Sequence, residues 1–78
     1  MDQIATRICQ IADDVLGLGP GTVTLASSPA DIDEWDSLAM LNLMVAVEDE
    51  FGVTIAPDDF EEVADIAQIV QLVSGLTR

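Results

Sequence analysis

The sequence predicts an all-α protein: an antiparallel, mostly up-and-down four-helix bundle with three main helices, one short third helix and a long loop after the first. Two observations carry that expectation. Apolar residues recur at spacings of three and four in three separate stretches, which is the pattern of helices that bury one face. Strand signals are weak, because β-branched residues fall at the same helical spacing and no Asn-Gly or Asp-Gly pair marks a hairpin. With 78 residues, the chain is expected to form one domain over residues 1–78.

The first helix is expected from Asp2 to Leu16, where Ile4, Ile8, Ile11 and Val15 are spaced four, three and four apart. Gly17 ends it and Pro20 blocks its resumption. Cys9 lies beside this stripe and reads as a small filler at the edge of the core, since the chain has no histidine or lysine to stabilise a thiolate. Residues 17–35 then form a Gly-, Pro- and Ser-rich connection whose isolated Leu18, Val23, Leu25 and Ile32 are suited to tacking an ordered loop onto the core.

The second helix runs from the N-cap Asp36 to Phe51 and is stopped by Gly52. Its apolar pattern is wider than one face needs. Met40, Leu43, Met44, Val47 and Phe51 make one stripe, and Leu38, Leu41 and Val45 make a second, edged by Asn42, Glu48 and Asp49. Either the helix is central to the bundle or the second stripe is a docking surface. A short extended segment follows, and Pro57 opens one helical turn with acids at its N-terminal end. The last helix opens at Asp65, with Gln68 as the capping-box partner, and places Ile66, Ile69, Val70, Val73 and Leu76 on one face.

The charge narrows the functional classes. Fifteen acids against two bases give a formal net charge of -13, so no basic patch exists for nucleic acid or an anionic membrane, and basic protein surfaces are the complementary partners. Apolar runs are too short to span a membrane, and a single cysteine without a secretory signal fits a reducing cytoplasm. Serine–histidine catalysis lacks its base, and zinc lacks its ligands. Asp31, Asp33, Glu34 and Asp36 crowd together, but an EF-hand loop begun at Asp31 would put Trp35, Asp36 and Asn42 at three positions that need other residues, so no dedicated metal site is expected and divalent cations would bind weakly, as charge neutralisation of the acidic surface. Ser37 remains. At the first position of the second helix, unpaired N–H groups and the helix dipole suit a phosphate carried on its hydroxyl, although a serine there is also an ordinary helix-start residue.

Trp35-Asp36-Ser37-Leu38, followed by the stretch through Ile55, closely resembles the acyl carrier protein family, the phosphopantetheine-binding carrier or thiolation domains. The resemblance covers nearly the whole chain, and its most specific part is Asp-Ser-Leu set about 14 residues before Glu-Phe-Gly. It implies that Ser37 carries 4′-phosphopantetheine, transferred from coenzyme A by a phosphopantetheinyl transferase with Asp36 assisting, and that the arm's thiol holds an acyl or aminoacyl thioester. The chain itself would then catalyse nothing. A loading enzyme, a ketosynthase and other acyl-processing enzymes would dock on Leu38, Leu41, Asn42, Val45, Glu48 and Asp49 of a monomeric carrier. Met40, Met44, Val47, Phe51, Ile55 and Ile69 would line an acyl cavity, or else plain core. Ala39 and Asn42 stand where many fatty-acid carriers have acids, which points to a stand-alone carrier of a dedicated pathway, of polyketide or nonribosomal-peptide type. The other readings are an aminoacyl or peptidyl carrier, and an acidic interaction bundle with Ser37 unmodified.

Overall fold

The computed structural model describes residues 3–77 and contains four helices in the expected order: α1 (Gln3–Leu16), α2 (Ser37–Phe51), α3 (Pro57–Glu61) and α4 (Ile66–Leu76). The expected start of α1 at Asp2 lies outside the described residues. No strand occurs among the described residues. Helix α1 packs against both α2 and α4. Arg7 near the start of α1 meets Glu50 at the end of α2 at 2.8 Å, as antiparallel neighbours require.

Local chemistry ends each long helix where the sequence indicates. Gly17 adopts φ 70°, and the N–H groups of Gly17 and Leu18 return to the carbonyls of Asp14 and Asp13, closing α1 with a Schellman motif. Gly52, at φ 64°, does the same for α2, with Val53 N–H donating to Glu48. The last helix is capped by Asp65, whose carboxylate accepts from Gln68 N–H at 3.0 Å. The reciprocal bond is displaced by one residue from the standard capping box, because Gln68 Oε1 accepts from Ala64 N–H and not from the cap itself.

The core is one cluster contributed by all four helices and the loop, with Ile8, Leu43, Val47, Phe60, Ile66, Ile69 and Val73 fully enclosed. Phe60 anchors α3. On α1 the buried face is centred on Ala5, Ile8, Ala12 and Leu16, leaving Ile4 and Val15 half-buried at its margins. On α4, Leu76 departs from the expected inward face: it is the last residue of the helix and is exposed, whereas Ile66, Ile69 and Val73 are buried. Cys9 is buried as a filler, and burial, aided by the charge of Asp13, pushes its thiol up.

The long loop is ordered by two devices. Val23 and Trp35 are buried in the core, with Leu18, Leu25 and Ile32 packed against it. Asp13, a carboxylate on the inner face of α1 that the sequence reading did not single out, is buried and accepts from Val23 N–H at 2.8 Å and Gly21 N–H at 3.0 Å. Further along, the carbonyls of Leu25 and Ser27 accept from Ala67 and Ile66, so the loop closes the N-terminus of α4.

Candidate functional site at the start of helix α2

The N-termini of α2 and α4 are finished differently. In α4, Ile66 and Ala67 N–H are taken by loop carbonyls, Gln68 N–H by the Asp65 side chain and Ile69 N–H by the Asp65 carbonyl. In α2, Asp36 in an extended conformation takes Ala39 N–H on its carboxylate at 2.8 Å and Met40 N–H on its carbonyl at 2.9 Å. Among the described residues no acceptor is recorded for the N–H groups of Ser37 and Leu38. Two donors therefore remain at the positive end of a 15-residue helix.

Ser37 is exposed at that end, and among the described residues no hydrogen bond engages its hydroxyl. The site thus offers a free Oγ for attachment together with open backbone donors, a combination that fits a serine-linked phosphodiester. Of the other acids that crowd ahead of the helix, Asp31 serves the loop, accepting from Ser28 Oγ at 3.0 Å. Among the described residues no group of three or more potential ligands is placed to hold a metal ion.

From Ser37 the two stripes of α2 diverge as the sequence pattern requires. Leu43 and Val47 are fully buried, and Met40, Met44 and Phe51 pack half-buried against the core. Leu38, Leu41 and Val45 are 67%, 55% and 55% exposed, an apolar strip leading away from Ser37. Of the polar residues edging it, Asn42 and Asp49 are exposed. Glu48 is half-buried and turned inward: its Oε2 accepts from Ile55 N–H at 2.7 Å and holds the segment after α2 against the helix. Ala39 packs against the core.

Of the six residues considered for a cavity, Val47, Ile55 and Ile69 are enclosed in the common core. Met40 alone of the six lines the cleft of about 500 Å³ beside Ser37, whose other walls are Pro29, Trp35, Asp36, Leu41 and Glu61. The structure also reveals what the sequence concealed there. Trp35 is only 3% exposed, and its indole Nε1 is a buried donor without a partner, a condition that costs about 1–3 kcal/mol.

A small helical bundle that presents an unengaged serine on an open helix N-terminus, next to an exposed apolar strip, has the form of a scaffold for a covalently attached group. Comparison with known proteins identifies the group. The family model described as a phosphopantetheine attachment site matches residues 6–73. The chain is 34% identical over 73 residues to an acyl carrier protein of Petrotoga mobilis, covering 94% of this chain and 86% of that protein. It is 31% identical over 75 residues to an acyl carrier protein of Rhodococcus erythropolis, covering 96% and 82%. A meromycolate extension acyl carrier protein of Mycolicibacterium smegmatis is 29% identical over 75 residues, covering 96% and 76%. In fold, the solution structure of a holo acyl carrier protein from Geobacter metallireducens superposes with a TM-score of 0.84 at 24% identity, covering 96% of this chain and 86% of that one. The chain belongs to the phosphopantetheine-binding family of acyl carrier proteins, and 4′-phosphopantetheine is its prosthetic group.

Proposed function

We propose that Ser37 is the attachment point of 4′-phosphopantetheine and that the chain carries acyl groups between enzymes without catalysing a step itself. The observation that carries this reading is the free Ser37 hydroxyl on an α2 N-terminus whose Ser37 and Leu38 N–H groups remain available to the phosphodiester. In the modifying step Ser37 Oγ bonds to the phosphorus that bears the pantetheine of coenzyme A. The pyrophosphate P–O bond breaks, 3′,5′-ADP leaves, and the hydroxyl proton passes to a base of the transferase, since the carrier has no histidine or lysine. Asp36 fixes the geometry of that step through its cap to Ala39. When attached, the arm supplies a terminal thiol that holds the acyl group as a thioester.

The phosphopantetheinyl transferase, the loading enzyme and acyl-processing enzymes such as a ketosynthase dock along Leu38, Leu41 and Val45, with Asn42 and Asp49 at the edge. Apolar contact supplies affinity there, and the net charge of -13 steers basic partner surfaces toward the strip. Glu48 contributes chiefly through its bond to Ile55. In this reading the carrier is a monomer of the reducing cytoplasm, where its lone, buried cysteine stays a free thiol.

The test is the intact mass after incubation with coenzyme A and a broad-specificity phosphopantetheinyl transferase. Wild type gains one phosphopantetheinyl group, and Ser37→Ala gains none while keeping its fold. Gain on Ser37→Ala, or no gain on a folded wild type with several transferases, refutes the assignment.

A further inference from the structure

A buried tryptophan normally finds an acceptor for its N–H, because an unmet donor in a low-dielectric interior is unfavourable. Trp35 has none, and its Nε1 is the buried, unpartnered side-chain polar atom among the described residues. It also belongs to the wall of the cleft that begins at Ser37. A phenylalanine there would be free of this unmet donor, so the orphan N–H marks a group open to an acceptor that none of the described residues supplies. The charge of the cleft decides what kind. Asp36 and Glu61 both line it, so beyond the helix N-terminus that receives the phosphodiester a further anion is disfavoured, whereas a neutral carbonyl oxygen is accepted. The remaining walls, Pro29, Met40 and Leu41, are apolar.

We infer that Trp35 is a positioning residue for the loaded arm: its indole N–H donates to a carbonyl oxygen of the group attached at Ser37 when that group folds back into the cleft. The inference rests on the reading that Ser37 carries the arm. The acceptor is either an amide carbonyl of phosphopantetheine or the carbonyl of its acyl cargo. Because Nε1 is covered, the carbonyl reaches it only when the cleft wall shifts, and that wall includes the unbranched, adaptable side chain of Met40. The arm is thereby drawn along the surface toward α3 and away from bulk water, and is released when a partner engages the adjacent Leu41.

Trp35 is the sole tryptophan, so ¹⁵N-labelled protein gives one indole N–H resonance to follow. The experiment compares unmodified, phosphopantetheinylated and acylated protein, with intact mass recording the loading of each sample. The expected result is a downfield shift of the indole N–H with nuclear Overhauser contacts to methylene protons next to the bonded carbonyl. Appearance on phosphopantetheinylation assigns an amide of the arm, and appearance only on acylation assigns the cargo. Complete loading with an unmoved indole resonance and no such contacts overturns the inference while leaving the carrier reading intact. Absence of any mass gain overturns the carrier reading, and this inference with it.

Discussion

Replacing Asp13 tests whether one buried carboxylate organises the long loop. Asp13 is 4% exposed, and its two oxygens take Val23 N–H at 2.8 Å and Gly21 N–H at 3.0 Å. In Asp13→Ala, the N–H of exposed Gly21 turns to water, but that of Val23, a residue 4% exposed in the core, is left without an acceptor. A hydrogen bond to a charged group contributes about 1.5–3 kcal/mol, and the Gly21 bond adds a smaller amount because water replaces it, giving a loss of roughly 2–3 kcal/mol. A chain of this size is stable by only ~4–12 kcal/mol, so the loss is a large fraction and lowers Tm by roughly 8–24 °C. Asp13→Asn keeps one acceptor oxygen and turns an NH₂ toward the other N–H, so it destabilises as well. Urea titration followed by circular dichroism measures both variants, and amide exchange at Val23 reports whether the loop detaches first. A loss below about 0.5 kcal/mol for Asp13→Ala, the range of ordinary surface changes, would refute the reasoning.

Three further outcomes are expected. Leu41→Asp, which puts a charge into the exposed strip, lowers kcat/KM of the phosphopantetheinyl transferase for the carrier while changing stability by no more than about 0.5 kcal/mol; unaltered transfer kinetics would remove the strip from the docking surface. The Arg7 guanidinium, through its hydrogen bond and its charge, holds the Glu50 carboxyl below the usual glutamate range. A carboxyl with a depressed folded pKa stabilises above its unfolded pKa and loses that contribution as pH falls through the folded value. The stability difference between wild type and Glu50→Gln is therefore present at neutral pH, small because both partners are exposed, and vanishes in acid; urea midpoints across that range check the sign. Cys9, with its thiol pushed up by burial, reacts slowly with a disulfide reagent at mildly alkaline pH and rapidly once urea unfolds the chain; equal rates would mean that α1 opens freely.

The helices were legible because their determinants are local. Gly17 and Gly52 end helices through backbone conformations they adopt with little cost, Asp36 and Asp65 cap the residues three positions on, and spacings of three and four define which faces turn inward. The double stripe on α2 was equally legible, and the exposure of Leu38, Leu41 and Val45 resolves it in favour of a surface strip. Asp13 carried a signal that went unused. It lies four residues after Cys9 on the inner face of α1, where an acid is out of place unless something nearby needs an acceptor, and the following loop brings unpaired N–H groups.

The sequence by itself determined that this chain is an acidic helical bundle, that Ser37 heads its second helix, and that no histidine is available to act as a base, because composition, periodicity and caps act over a few residues. Only the tertiary structure decided which helix ends stay open. Leu25 and Ser27 lie some 40 residues before the α4 N–H groups they satisfy, and Asp13 reaches across a turn to Val23, pairings that depend on where the chain crosses itself. The same holds for Glu48, an apparent surface acid spent on Ile55, and for Trp35, whose burial beside Ser37 leaves an indole donor unmet. Spacing along a helix reveals which way a side chain faces, and only packing reveals what meets it there.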